Sequence, residues 1–181
     1  MTDPSLSDGT VFRHAGPGDV PAIHELVCLY AKERLLLPRP PEDILEKIGN
    51  FYILELNGQP VGCAALRDYG NSLYEIRSLA VRKEYLNRRF GSRMVEGLLK
   101  ILREKGEPAR VFALTYRENF FIHHGFRIVD KKCFPEKIWS DCVICPKKDR
   151  CDEIAVLLSL PEDTDSPSTK ILPEPACDIV P

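Results

Sequence analysis

The most regular pattern in the chain lies in residues 74–102. Its first part, YEIRSLAV, groups Ile76, Leu79, Ala80 and Val81 in a run that predicts a strand. Its last part sets Met94, Val95, Leu98, Leu99 and Leu102 at three- and four-residue spacings, the stripe of a helix with one buried face. Between them lie Arg88, Arg89, Phe90, Gly91 and Ser92. The N–H groups at a helix start have no intrahelical partner and carry partial positive charge, so they can hold a phosphate. Strand, glycine-bearing loop and helix together make a candidate pyrophosphate grip. An ordinary strand–helix connection with a solvated basic turn accounts for the same residues.

The pattern elsewhere predicts a first strand at 11–14, then a turn in which Asp19 is placed to cap a helix. That helix shows Val20, Ile23, Val27 and Tyr30 in helical rhythm, and a short second helix is expected at 41–48. Strands at 51–56 and 60–67 flank Asn57-Gly58, a strong hairpin signal. After the central helix the chain predicts a strand at 110–115, a short helix at 118–124, and strands at 126–129 and 153–160. The order is strand, two helices, three strands, helix, strand, helix, two strands. It predicts an α/β (α+β) fold with a mixed, largely antiparallel sheet flanked by helices. Residues 1–10 are polar and expected to be loose, and 11–160 form the expected domain, with a cysteine-rich loop at 130–152. The tail at 161–181 is dominated by proline, acidic and small residues and is expected to be disordered.

Length and charge narrow the function. A chain of 181 residues can bury one good core. A formal net charge of −2 argues against general nucleic-acid binding. No apolar run approaches the ~20 residues needed to span a bilayer, and the first residues lack the basic and apolar parts of a signal peptide. A cytoplasmic protein is expected, with its seven cysteines as thiols or metal ligands. Cys142 and Cys145 have the chelate spacing of structural zinc sites; Cys151 follows, and Cys133 is a candidate fourth ligand. Reduced thiols and a redox disulfide are the competing readings. In Leu37-Pro38-Arg39-Pro40 two prolines stiffen the chain around Arg39. Its guanidinium is either solvated in a loop or held in place to receive a carboxylate.

The element order, with strand, loop and helix at its centre, resembles the Gcn5-related N-acetyltransferase (GNAT) fold over residues 11–160. The GNAT pyrophosphate loop commonly reads Gln/Arg-x-x-Gly-x-Gly/Ala. Aligning Gly91-Ser92-Arg93 with its closing Gly-Ser-Arg sets Leu86, Arg89 and Gly91 at the three motif positions, and only Gly91 matches. Arg88, Arg89 and Arg93 supply cations that can pair with coenzyme phosphates. A narrower resemblance is to the acetyltransferase domain of N-acetylglutamate synthase. It is carried by Leu36-Leu37-Pro38-Arg39, Val61-Gly62-Cys63-Ala64-Ala65-Leu66, Glu75-Ile76-Arg77-Ser78-Leu79-Ala80-Val81, Val111-Phe112-Ala113-Leu114-Thr115, and Phe120-Phe121 ahead of Gly125-Phe126. No amino-acid kinase segment is present, so the resemblance is to the short, stand-alone form.

The resemblance implies acetyl transfer from acetyl-CoA to the α-amine of L-glutamate, the first step of arginine biosynthesis. It implies coenzyme contacts at Leu79, Ala80 and Val81 and at Arg88, Arg89, Phe90, Gly91, Ser92 and Arg93. It implies a glutamate carboxylate on Arg39, assisted by Leu37 and Ser78, with Lys137 as a second cation. An amine attacking a thioester must first lose a proton, and Glu75 is the candidate base. Arg77 shares its face by strand alternation, and a structural ion pair is the alternative for Glu75. Tyr116 is the candidate acid, because the position where many GNAT enzymes carry tyrosine is Phe121 here. A small-molecule acceptor is implied, without nucleic acid or membrane, and a homodimer is left open. Two other readings stand beside this one: acetylation of another small amine or a protein N-terminus, and a regulatory module that binds acetyl-CoA without turnover.

Overall fold

The structure, a computed structural model, describes residues 9–160, apart from the side chain of Trp139. The expectations for residues 1–8 and 161–181 lie outside the described residues. The described chain forms two compact units, 9–67 with 76–99 and 68–75 with 100–160. Seven strands are ordered β1-β2-β3-β4-β5-β7-β6.

In the first unit, β1 (Thr10–His14), β2 (Phe51–Leu56) and β3 (Gln59–Asp68) pair antiparallel. Asn57 and Gly58 join β2 to β3 with φ of 50° and 77°, the left-handed pair that a tight hairpin turn needs. Thr10, expected in the loose terminus, is instead 3% exposed, and its Oγ1 accepts from Arg93 at 2.6 Å. Helices α1 (Val20–Ala31) and α2 (Pro41–Glu46) bury Ile23, Leu26, Val27 and Ile44 against Phe51, Ile53, Cys63, Ala65 and Ala80. Asp19 does not cap α1 with its side chain. It accepts from the Gly16 N–H and from Arg13, which also holds Glu55. Arg13 and that N–H hold the Asp19 carboxyl below the usual range against the effect of burial.

Strand β4 (Leu73–Val81) ends in the first unit, and α3 (Phe90–Glu104) begins there. Met94, Val95, Leu98 and Leu99 are buried, which is the stripe the sequence predicts. Cys63 is fully buried, and burial pushes its thiol up to about 12.

In the second unit, β4 pairs parallel with β5 (Ala109–Thr115), β5 antiparallel with β7 (Ile154–Leu160), and β6 (Arg127–Val129) antiparallel with β7. Helix α4 (Glu118–Ile122) precedes β6. The expected loop at 130–152 contains a helix, α5 (Pro135–Ser140), and three single 3₁₀ turns. Phe134 anchors this segment. It is 1% exposed and stacks on Phe112 at 4.0 Å between ring centroids, within a cluster that includes Leu73, Val129, Ala155 and Leu157. No described helix is long and apolar enough to cross a membrane.

A buried aromatic ring carries most of the stabilisation available to so polar a segment. Phe134→Ala is therefore expected to destabilise the protein by about 3–5 kcal/mol, measured by urea unfolding. A loss below about 1 kcal/mol would show that the segment is not held by this ring.

Candidate active site

Glu75 lies in β4 within the second unit and is 2% exposed. A carboxylate so far from water is costly unless it is paired and hydrogen-bonded. Lys137 of α5 meets both of its oxygens, with Nζ 2.9 Å from Oε1 and 3.1 Å from Oε2. The same ammonium contacts Asp141 Oδ2 at 2.9 Å. Tyr69 donates its hydroxyl to Glu75 Oε2 at 2.8 Å, and its oxygen stands 3.2 Å from Asp141 Oδ2. The result is two carboxylates, one ammonium and one phenol in a compact network. Lys137, expected to meet a substrate carboxylate, instead holds Glu75 and Asp141. Glu75 does have an ion-pair partner, and that partner is a lysine.

Sequence reasoning missed Tyr69 and Asp141. Asp141 follows Lys137 by four residues, the spacing of neighbours on one helix face, but so short a helix beside Pro135 was not apparent. Tyr69 owes its position to the turn that follows it. Gly70, Asn71 and Ser72 all have left-handed φ, of 78°, 51° and 59°, and the Tyr69 N–H donates to the Leu73 carbonyl at 2.9 Å.

In the first unit, Arg39 is half-buried. Its Nε donates to Ser78 Oγ at 3.1 Å and its Nη1 to Asp43 Oδ2 at 2.7 Å. Lys47 also donates to Asp43. Burial raises the Asp43 carboxyl, but donation from Lys47 and Arg39 outweighs that and holds it below the usual range. Ser78 has φ of 52° in the middle of β4. A non-glycine residue in that region costs about 1–3 kcal/mol and persists only where its surroundings fix it. The Ser78 carbonyl accepts from the Cys63 thiol at 3.6 Å, so both ends of this residue are engaged. Leu37 is exposed and Arg77 half-buried. Of the expected substrate contacts in this unit, the structure joins Arg39 directly to Ser78.

Ala80 and Val81 are buried, Leu79 is half-buried, and the Val81 carbonyl accepts from Tyr30 at 2.5 Å. In the following loop Asn87 and Arg89 have φ of 61° and 62°. Arg89 thus takes the left-handed backbone conformation that glycine adopts without penalty. Its carbonyl accepts from the Arg93 N–H at 3.0 Å, closing the first turn of α3. Arg88 and Arg89 are exposed, and Gly91 and Ser92 are half-buried at the helix start. The three arginines are not equivalent. Arg88 stacks over Tyr85, while Arg93 lies over the buried Phe90 ring and donates to Thr10.

Tyr116 belongs to the second unit. It donates to Asp152 at 2.7 Å and accepts from Lys147 at 3.0 Å. Burial and the bond to Asp152 raise its phenol, against the lowering effect of Lys147. Its proton is committed to Asp152 in this structure. Phe121 packs edge-on against Phe126 at 5.2 Å and offers no proton.

The cysteine cluster does not assemble as expected. Among the described residues, no three Cys, His, Asp or Glu side chains gather into a metal-binding group. Cys133 packs instead against the apolar cluster of Phe112, Val129 and Phe134. Cys142, Cys145 and Cys151 are free thiols. Cys151 Sγ lies 3.3 Å from the Lys131 ammonium and 3.7 Å from Glu153. Burial raises the Cys142 thiol, opposed by the charge of Lys137.

The acetyltransferase (GNAT) family profile matches residues 21–126. An uncharacterized N-acetyltransferase of Chlorobaculum tepidum is 41% identical over 151 residues, covering 83% of this chain and 97% of its own. The amino-acid acetyltransferase of Mycobacterium tuberculosis is 35% identical over 133 residues, covering 72% and 75%. Among solved structures, Rv2747 from M. tuberculosis in complex with CoA and NLQ matches with a TM-score of 0.72 and 31% identity, over 83% of this chain and 99% of that one. N-acetylglutamate synthase from Neisseria gonorrhoeae complexed with coenzyme A and N-acetyl-glutamate matches with a TM-score of 0.74 and 27% identity, over 83% of this chain and 35% of that one. The chain belongs to the GNAT family of acetyltransferases and is an acetyl-CoA-dependent N-acetyltransferase. It is similar in sequence to amino-acid acetyltransferases and in structure to the GNAT domain of N-acetylglutamate synthase.

Protein purified without chelators is expected to contain far less than one zinc per chain by elemental analysis. A stoichiometry near one would show that these cysteines rearrange to bind metal.

Proposed function

We propose that the enzyme transfers the acetyl group of acetyl-CoA to the α-amine of L-glutamate, in the cytoplasm and in the service of arginine biosynthesis. The observation that carries this reading is Arg39, whose guanidinium is fixed by Ser78 and already holds one carboxylate, that of Asp43. A planar guanidinium matches a carboxylate in geometry as well as charge. The amino-acid acetyltransferase relatives support the same acceptor class.

In this reading the α-ammonium group gives a proton to Glu75, directly or through one water. The neutral nitrogen then attacks the thioester carbon. The C–N bond forms as the carbonyl π pair moves to oxygen, and backbone N–H groups at Leu79–Val81 receive that charge. Collapse restores the carbonyl and breaks the C–S bond, and the pair leaves with coenzyme A as thiolate. A thiolate leaves readily, so Tyr116, whose hydroxyl donates to Asp152, is not obligatory as an acid. The acetylated nitrogen then carries two protons; one is lost to solvent and the other stays as the amide N–H. The coenzyme pyrophosphate is assigned to the start of α3, around Arg88 to Ser92. There the left-handed turn at Arg89 supports retention of the loop shape despite the missing glycine. Arg93, committed to Thr10, contributes less than the sequence implies.

The test is thiol release by purified protein given acetyl-CoA and a panel of amines. Release that depends on L-glutamate is the expected result. Release only with other amines would reassign the acceptor, and none with any acceptor would overturn the enzymatic reading. Arg39→Ala is expected to raise the glutamate KM by about tenfold or more, the size of a lost charge-assisted contact, and to leave the acetyl-CoA KM within about twofold. Equal effects on both would remove Arg39 from acceptor recognition.

A further inference from the structure

We propose that Tyr69 is a positioning residue for acetyl transfer, acting through Glu75; this rests on Glu75 being the base. The network around Glu75 has two kinds of donor. Lys137 meets both carboxylate oxygens at nearly equal distance, 2.9 Å and 3.1 Å. An ammonium is a compact charge with rotatable donors, so it attracts the carboxylate without fixing its direction. Tyr69 is different. Its hydroxyl sits at the end of a rigid ring and addresses one oxygen, Oε2, at 2.8 Å. The ring itself is held against Phe112, with centroids 5.9 Å apart. The turn behind it places Asn71 and Ser72 in the left-handed region, which is uncommon for a residue such as serine.

The charged and titratable groups that face Glu75 fit this division of labour. Lys137 comes from α5, Asp141 follows that helix, Tyr69 precedes β4, and the Cys142 thiol is near enough to sense both Lys137 and Glu75. Phe112, the residue beside Glu75 in the β4–β5 register, is apolar. A phenol has one proton to give. In the resting network it goes to Glu75, whose oxygen is closer than that of Asp141, 2.8 Å against 3.2 Å. When Glu75 takes the proton of the acceptor amine, its need for that donor falls. The Tyr69 hydroxyl then has Asp141 as its alternative acceptor, and Asp141 remains tied to Lys137. No group is left unpaired at either stage, which is the condition for a buried polar network to work without penalty.

Tyr69→Phe deletes the hydroxyl and keeps the ring. With acetyl-CoA and L-glutamate, kcat is expected to fall about tenfold or more, with both KM values within about twofold of wild type. The acid limb of the kcat profile is expected to move to higher pH, because a donor to the charged carboxylate has been lost. Replacing Tyr69 by 3-fluorotyrosine, a more acidic phenol, is expected to move that limb the opposite way. It also keeps both ring and hydroxyl, so it decides the matter if the phenylalanine variant melts early. An acid limb unmoved by the fluorinated residue, or a wild-type kcat and limb in a well-folded Tyr69→Phe protein, overturns the proposal. Glu75→Gln separates this failure from failure of the underlying reading. Full activity in that variant removes Glu75 as the base and the proposal with it. An inactive Glu75→Gln beside wild-type behaviour of both Tyr69 variants removes only the positioning role.

Discussion

A carboxylate buried to 2% exposure must be neutralised, and much of the second unit is arranged around that demand. Glu75 sits in β4 because the strand runs through the core. Lys137 reaches it from α5, a helix of six residues in a segment with little apolar content. Phe134 docks that segment on Phe112, the β5 residue paired with Glu75 in the sheet register. The aromatic stack and the ion pair thus hold the same piece of chain, one by area and one by charge. Loss of either partner of a buried pair leaves the other charge without compensation, a cost of about 3–5 kcal/mol. Asp141 and Tyr69 complete the network, and no buried side-chain oxygen or nitrogen in the described residues lacks a hydrogen bond.

The first unit obeys a different constraint, set by backbone conformation. Ser78 and Arg89 both take left-handed φ without being glycine. Each is supported where it stands. Ser78 is engaged through its hydroxyl by Arg39 and through its carbonyl by Cys63, and Arg89 gives its carbonyl to the first turn of α3. In the proposed coenzyme loop, Arg89 thus holds a left-handed position without being glycine. The price is a modest local strain, about 1–2 kcal/mol for an L-residue in that region.

Much of the fold was legible because it rests on periodicity. The stripe Met94, Val95, Leu98, Leu99 and Leu102 and the Asn57-Gly58 hairpin both appear where residue spacing puts them. Glu75 and Arg39 were legible as candidates through resemblance, and Arg39 does meet Ser78. Their partners were not. Asp43, Asp141 and Tyr69 are ordinary polar residues whose role depends on long-range placement, and no local spacing signals a left-handed run at 70–72. The zinc expectation meets a related limit: Cys-x2-Cys spacing permits chelation, but among the described residues no group of three Cys, His, Asp or Glu side chains is assembled to hold a metal.

A crystal structure with a bisubstrate analogue would show whether Glu75 serves the acceptor amine and Arg39 its carboxylate, as proposed. In that compound coenzyme A is joined through an acetyl linker to the nitrogen of L-glutamate. That nitrogen is expected within about 2.6–3.2 Å of a Glu75 oxygen, or one water away, with a glutamate carboxylate on Arg39. A complex in which the nitrogen is remote from Glu75 and both carboxylates avoid Arg39 would contradict the proposal.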